Sequence, residues 1–237
     1  GLYLLSLIKY LGLFYFLYFL GRSFLVINSY ILNNKFSIPE KLLYSKSNIL
    51  YPIIGTFFVG NVLIILNFVI PLKNNIVYVL ISFLLLPNLL NLKLNLNFIN
   101  LENFINYFLI PGILIVSVYN IGWHYDAGYY HLNHQAWLRE SNLIIGFVNI
   151  HWAFGMSSIF EYLSSILWFR ESFIFLHFLN LIFIQGFYLT LIDNIKNSRN
   201  ILIKNSSLFL LIFSILDNFG INGGRNGFIY IQGVTKQ

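Results

Sequence analysis

The segment YDAGYYHLNHQAWLRE, residues 125–140, gathers polar side chains in a chain that is otherwise apolar. Asp126 supplies a carboxylate, and His131 and His134 supply imidazoles, which are groups that commonly transfer protons in catalysis. Arg139 adds a guanidinium, whose planar fork binds phosphate oxygens through two parallel hydrogen bonds. These residue types favour a reaction in which a proton is moved and an anion is bound.

Helical spacing would bring most of these groups together. If residues 126–140 form a helix, one face carries Tyr130, His131 and His134. Asp126 would be the N-cap, because its carboxylate can accept hydrogen bonds from the first free backbone N–H groups. Structural roles stay open for each group: the aspartate as a cap alone, the histidines in interface hydrogen bonds, and the arginine at a solvated helix end.

A metal site is one alternative for the same helix. Two histidines spaced His-x-x-His can converge on one helix face, with Asp126 as a third ligand. This spacing is a weaker signal than a zinc-protease motif, so we predict no metal and no other cofactor. The chain has no cysteine, which excludes disulfides, thiol catalysis and cysteine zinc sites.

The composition predicts a membrane protein. Of 237 residues, 58% are hydrophobic and only 9% are charged, whereas soluble domains carry about 25% charged residues. The net charge of +6 comes from few groups and no basic run or RNA-binding motif accompanies it, so we expect no nucleic-acid partner. The lipid bilayer is the expected environment, and scattered Lys and Arg residues are expected to mark cytoplasmic loops.

Apolar runs that could cross about 30 Å of hydrocarbon define the predicted elements. They lie at residues 2–20, 49–71, 76–92, 104–120, 172–192 and 207–219. The positive-inside rule makes the basic loops 21–48 and 193–206 cytoplasmic and puts the short loop 72–75 outside. It also favours an external loop at 121–171, built from juxtamembrane helices, over a membrane crossing at 143–169.

The predicted fold class is therefore all-α: a polytopic α-helical membrane protein with an external loop of juxtamembrane helices. We expect N-terminal transmembrane helices in residues 1–120, the loop with the candidate site in 121–171, and further transmembrane helices in 172–237. The chain stops shortly after an apolar stretch, so the last part is expected to be C-terminally incomplete.

The predicted external loop also escapes a compositional bias that affects the rest of the chain. Phe, Leu, Ile, Asn, Tyr and Lys dominate, as in proteins from AT-rich genomes, and alanine occurs only at 127, 136 and 153. All four tryptophans and four of the five histidines lie between residues 123 and 168. A water-exposed loop would explain the histidines but not the alanines and tryptophans, so we interpret 120–170 as a functional segment.

Two further polar residues are candidates. Glu161 lies in the apolar stretch SSIFEYLSS, and an ionisable group at membrane depth is costly enough to suggest a function. At the membrane interface its carboxylate would reach water, and this argument would weaken. Arg225, in the Gly-rich tail, could bind an anion.

These residues resemble a known family. YDAGYYHLNHQAWLRE followed by GFVNIHWAFGMSSIFEYLSSIL looks like the multi-span membrane proteins of bacterial surface-polysaccharide loci. Those proteins carry a D-x-G-x-YH-type motif followed by a G-x-x-N…G…S segment, and they are similar in pattern to GT-C glycosyltransferases. The resemblance covers residues 120–170, and a weaker similarity continues towards the C-terminus.

The resemblance implies a glycosyltransferase of the bacterial inner (cytoplasmic) membrane with its active loop on the external face. It would move a sugar from a polyprenyl-phosphate-linked donor to a cell-surface glycan or lipid acceptor. Asp126 matches the position of the catalytic base, and Glu161 would be a second catalytic acid. His131, His134 and Arg139 would bind the donor phosphate. Further candidate substrate-binding residues are Tyr130, His151 and Arg225.

Other functions stay open. A polysaccharide polymerase or ligase would usually rely on arginines in a large external loop, and this chain offers few. A transporter or flippase of lipid-linked sugars would place polar residues in several spans and show repeated halves, whereas here the polar groups concentrate in one segment. A purely structural membrane subunit is a further alternative.

Overall fold

The computed structural model describes residues 2–31, 47–91, 101–116, 126–156, 158–169 and 173–218. Within these residues the regular elements are α-, 3₁₀- and π-helices, and none is a β-strand. The all-α prediction is confirmed for this part of the chain. The first helices are α1 (Leu2–Ile31), α2 (Ser47–Asn67) and α3 (Asn75–Phe83), followed by a 3₁₀ turn at Leu86–Asn91.

The middle of the chain is more irregular. α4 (Leu101–Phe104) and α5 (Ile110–Leu114) flank a π-helical turn at Ile105–Leu109. A second π turn, Ala127–His131, leads into α6 (Leu132–Glu140), and short 3₁₀ turns follow at Phe147–Asn149 and Trp152–Met156. The remaining helices are α7 (Ile159–Ile166), α8 (Ile174–Asn197) and α9 (Ile201–Asn218).

Three helices are long and apolar enough to cross a membrane. They are α1, residues Ile49–Asn67 of α2, and α8. Two shorter apolar helices, Asn75–Asn88 and Ile201–Ile215, overlap the predicted spans 76–92 and 207–219. The membrane prediction is thus supported by length and composition at three of the six predicted positions.

Several predicted boundaries are wrong. α1 continues to Ile31, so residues 21–31 are helical and not part of a loop. α8 continues to Asn197 and α9 begins at Ile201, so the predicted basic loop 193–206 is mostly helical. Polar and basic residues do not end a helix by themselves, and Lys196 in the last turn of α8 complements the negative end of the helix dipole.

Residues 143–169 do not form one crossing helix. Among the residues described there, two 3₁₀ turns precede α7, which has only 8 residues. Such a helix is about 12 Å long, too short to span a bilayer. This agrees with the prediction that residues 143–169 do not cross the membrane as a helix. However, the side chains of α7 from Glu161 to Ile166 are all buried in the protein.

The fold divides into two compact units. The first comprises residues 1–14, 94–122 and 177–236. In its core, the buried Tyr10 hydroxyl donates to Gln185 Oε1 at 2.5 Å, and Gln185 Nε2 donates to the Asn106 carbonyl at 3.2 Å. Asn106 lies in the π turn of residues 105–109, where the altered hydrogen-bond ladder leaves a carbonyl for a side chain to satisfy.

The second unit comprises residues 15–93, 123–176 and 237, and contains the candidate site. Within it, the part of α1 after residue 14 crosses α2 at two glycines. A Cβ atom on Gly21 would lie 1.9 Å from the Tyr51 carbonyl oxygen, and one on Gly55 would lie 2.0 Å from that of Leu17. Side chains of any size would push the two helices apart, so the close crossing requires glycine.

The substitution Gly55→Ala tests this crossing against Gly12→Ala, where a Cβ atom would meet nothing within 4 Å. Overpacking should make Gly55→Ala destabilising by about 1–3 kcal/mol. Gly12→Ala should be stabilising by about 0.5–1 kcal/mol, because alanine loses less backbone entropy in a helix. Thermal unfolding of the purified variants measures both effects, and shifts of the same sign would contradict the close crossing.

Candidate functional site

A buried carboxylate links the two histidines predicted for the site. Glu161 Oε1 lies 2.6 Å from His131 Nδ1, and Glu161 Oε2 contacts His134 Nδ1 within hydrogen-bond distance. Glu161 and His134 are buried, whereas the His131 side chain is 30% exposed. An ionised carboxylate only accepts hydrogen bonds, so each Nδ1–H donates to Glu161 and the Nε2 atom of each ring takes no part in this contact.

The position of Glu161 follows from helix α7. This helix begins after Ser158, and Glu161 lies in its first turn with its backbone N–H donating to the Ser158 carbonyl at 3.0 Å. The first turn of a helix has unpaired N–H groups and a positive dipole end, which stabilise a carboxylate. The local fold therefore stabilises the negative charge that the histidines share.

Arg139 occupies the opposite end of α7. Its Nη1 donates to the Ser165 carbonyl, and its guanidinium lies 5.0 Å from the centre of the Trp168 ring. The Tyr78 hydroxyl donates to the next carbonyl, Ile166, at 3.1 Å. A cation at this negative end of the helix is stabilising. The structure thus places Arg139 in a helix-capping position and not with the two histidines.

Helix α6 and the π turn before it hold His131 and His134 on one face, as the spacing predicted. The backbone N–H of Leu132 donates to the carbonyl of Ala127, which is the bonding that defines the π turn. Ala127 and His134 are both buried. π turns inside helices are frequent at functional sites because they re-aim the side chains that follow.

Asp126 is not the N-cap that the sequence suggested. It has helical dihedral angles, φ −59° and ψ −31°, and its side chain makes no capping hydrogen bond. An N-cap residue normally adopts an extended conformation, which lets its side chain reach back to the first N–H groups. The prediction failed because residue 126 already lies inside the helix.

The charges of two carboxylates act on Tyr130. Burial and then the negative charges of Asp126 and Glu161 raise the pKa of Tyr130 above its usual 10.0. Its ring centre is 4.1 Å from that of His131 and 6.4 Å from that of His151. The neutral phenol is therefore kept as a hydrogen-bond donor beside both acidic residues.

His151 joins this group from a separate loop. Its ring packs against Tyr129 with the ring centres 5.1 Å apart, and against Phe154 at 5.4 Å. Its buried Nε2 has no hydrogen-bond partner among the described residues. This nitrogen can therefore still form a hydrogen bond, and the rings of Tyr129 and Tyr130 lie beside it.

His134 also lines a small cavity. Its volume is about 90 Å³, and Phe147, Phe154 and Tyr162 contribute to its lining. Ligand sites for small molecules usually measure about 300–1,000 Å³, so this cavity admits a few water molecules and not a sugar. His131, by contrast, is 30% exposed, so its side of the cluster is the one open to larger molecules.

The structure brings together most of the residues predicted for the site. His131, His134 and Glu161 are in direct contact, Tyr130 and His151 pack beside them, and Asp126 acts electrostatically on Tyr130. Arg139 lies elsewhere, as described above, and Arg225 is outside the described residues. Within those residues no group of three or more acidic or histidine side chains is arranged to hold a metal, and the absence of a cofactor stays a prediction.

No family model, curated protein or solved structure matches this chain. The resemblance to membrane proteins of polysaccharide loci therefore stays a hypothesis, and the function has to be argued from the chemistry of the site.

Sequence reasoning missed Asn67, which anchors the helix that carries the histidines. This buried residue at the end of α2 donates from Nδ2 to the carbonyls of Leu138 at 3.1 Å and Ser141 at 3.0 Å. The backbone N–H groups of Leu72 and Lys73 donate to two carbonyls at the end of α6. The last carbonyls of a helix lack partners within it, so the end of α2 and the loop after it supply them.

Asn67→Ala should destabilise the protein by about 1–3 kcal/mol, because the Ser141 carbonyl would lose this donor and the Leu138 carbonyl would keep only the Leu72 N–H. The matched control is Asn61→Ala on the same helix. The exposed amide of Asn61 donates only to the nearby Phe57 carbonyl, and its loss should change stability by less than about 0.5 kcal/mol. Chemical unfolding compares the two variants, and equal effects would refute the anchoring role.

Proposed function

We propose that this chain is an integral membrane glycosyltransferase whose centre is the carboxylate of Glu161 with His131 and His134. The observation that carries the proposal is the buried carboxylate held between two imidazoles. Burying such groups costs free energy unless they are paired, and the pairing alone often contributes little stability compared with apolar packing. Buried ionisable groups in membrane proteins are therefore functional by default.

The proposal includes a polytopic arrangement in the bacterial inner membrane. α1, α2 and α8 are the candidate spans. A Cβ atom on Gly60 of α2 would collide with Ile159 in the first turn of α7, at 1.8 Å from Cγ2. At about 1.5 Å per residue, Gly60 lies about 10 Å before the end of α2. Glu161 would then lie below the membrane surface, shielded by protein.

The external location of the site is also part of the proposal. The positive-inside rule predicts that the loop after α2 and residues 121–171 both lie outside. The hydrogen bonds from Asn67 to Leu138 and Ser141 support this, because they join the end of α2 to the helix that carries the histidines. Both segments must then be on the same side of the membrane.

The transferred group would be a sugar carried on a polyprenyl phosphate. Asp126 removes the proton from the acceptor hydroxyl as its oxygen attacks the anomeric carbon, and the bond from that carbon to the phosphate oxygen breaks. His131, protonated and held by Glu161, donates from Nε2 to the departing phosphate and stabilises its negative charge. The acceptor is a cell-surface glycan or lipid. Tyr130 and His151 border the approach and supply hydrogen-bonding groups.

A transporter or flippase of lipid-linked sugars is the second candidate. The water-sized cavity beside buried His134 favours it, because ionisable groups next to internal water form proton paths in pumps and transporters. The two candidates differ in outcome: a transferase changes the covalent structure of the lipid-linked sugar, and a flippase changes only the leaflet in which it is found.

Asp126→Asn and Glu161→Gln should each lower sugar transfer by about 100–10,000-fold, the usual contribution of a general acid or base. The assay follows a radiolabelled sugar from polyprenyl phosphate to acceptor in membranes that contain the purified protein. Glu140→Gln is the matched control, because Glu140 is an exposed carboxylate on α6 that pairs with Lys73 at 2.8 Å. Its activity should be unchanged.

Each variant is first checked for membrane insertion and thermal unfolding. Full transfer activity in both Asp126→Asn and Glu161→Gln would refute the proposed mechanism. Movement of the labelled lipid between leaflets without any new glycosidic bond, lost in Glu161→Gln, would replace the transferase with the flippase.

A further inference from the structure

Residues 144–152, the apolar loop, turn several large apolar side chains away from the protein. Ile145 is 91% exposed, Ile150 is 72% exposed and Trp152 is 67% exposed, and Ile144 and Val148 are exposed as well. Single exposed apolar residues are normal on a protein surface, whereas a group of them in one short loop marks a surface that contacts a membrane or another protein.

The loop has a well-defined backbone although its side chains are exposed. Gly146 adopts the left-handed conformation with φ +83°, which favours glycine. Its carbonyl accepts from the Asn149 N–H at 2.9 Å, and the Phe147 carbonyl accepts from the Ile150 N–H at 3.0 Å. Phe147 is buried and stacks on Phe154 with the ring centres 4.5 Å apart. Backbone groups paired in this way can lie near lipid, where unpaired ones are costly.

The loop begins beside the end of a candidate membrane span. The Leu143 N–H donates to the carbonyl of Asn67, the last residue of α2, at 2.8 Å. A membrane span ends where the hydrocarbon meets the headgroups, which puts the start of the loop at that level. Lys73, after α2, and Glu140, before the loop, form an exposed ion pair at 2.8 Å. These charges need water or headgroups and mark the polar side of the same boundary.

The composition of the loop favours lipid over protein as its partner. Residues 141–160 contain no Asp, Glu, Lys or Arg, whereas the rim of a protein–protein interface is polar. Trp152 and Trp137 are both exposed here, and tryptophan is enriched where a membrane meets water because its ring is apolar with one polar N–H group. Aliphatic residues flanked by tryptophans suit the border between hydrocarbon and headgroups.

We infer that the apolar loop inserts into the lipid at the membrane surface beside the end of α2. Ile145 and Ile150 enter the hydrocarbon border, and Trp152 lies among the headgroups. This inference rests on the proposed membrane arrangement, because the end of α2 sets the level of the loop. Phe147 of the loop also packs against His134, with the ring centres 6.0 Å apart. Lipid insertion would thus hold the helix that carries the histidines at a constant depth.

The depth of the loop is measurable with a single nitroxide spin label. The chain has no cysteine, so one introduced cysteine gives one labelled position. The variants are Ile145→Cys in the loop, Phe57→Cys on α2 and Lys73→Cys in the charged pair. All three side chains are exposed, so little packing is lost. Phe57 lies about 15 Å before the end of α2, at about 1.5 Å per residue, and is the hydrocarbon reference.

The purified chain is reconstituted in nanodiscs of phosphatidylethanolamine and phosphatidylglycerol. Power-saturation electron paramagnetic resonance then compares collisions of the label with oxygen, which dissolves in hydrocarbon, and with a nickel chelate, which stays in water. At position 145 oxygen collisions should exceed chelate collisions several-fold, as at position 57. At position 73 the order should reverse.

Two results would overturn the inference while position 57 stays in hydrocarbon. A label at position 145 that collides mainly with the chelate would put the loop in water. A label there that is shielded from both reagents would show that protein covers the loop, either a second copy or another part of the chain. Chelate collisions at position 57 are a different failure: α2 would then lie outside the bilayer, and the proposed membrane arrangement would fall together with the inference.

Discussion

The structure of the site depends on one carboxylate that two imidazoles share. Glu161 is buried, so it needs hydrogen-bond donors for both of its oxygens, and His131 and His134 supply them. This requirement fixes the distance between two helices, since the donors lie on α6 and the π turn before it, and the acceptor lies on α7. A glycine on α2 provides the space in which the first turn of α7 can lie.

The surrounding helices hold the polar groups of both ends of α7. The carboxylate is at the positive end, and Arg139 with Tyr78 satisfies the carbonyls at the negative end. Asn67 performs a similar task for the end of α6. In an apolar environment, unpaired backbone groups are expensive, and short helices have many of them for their length. The short helices of this site are therefore stable only where their ends are bonded to side chains or loops.

The sequence predicted correctly those features of the structure that depend on local periodicity. The shared face of His131 and His134 follows from helical spacing, and the all-α class of the described residues agrees with the apolar composition. The contact with Glu161 could not be derived, because the residues are about 30 positions apart and no periodicity connects them. The signal available was chemical: a glutamate in an apolar segment needs partners, and two imidazoles on a buried face need acceptors. Arg139 was predicted to lie with the histidines because a guanidinium binds phosphate well. A guanidinium is equally suited to the C-terminal end of a helix, where the structure places it.

The geometry of the site depends on the number of residues in the π turn 127–131. Its backbone bonds skip one more residue than those of an α-helix. Deleting one residue there would restore ordinary α-helical bonding and rotate everything before it by about 100° relative to α6. Asp126 would then be displaced relative to His134 and the rest of α6. Related chains that carry this site are therefore expected to preserve the spacing of this turn, whereas insertions and deletions in connecting loops would be tolerated.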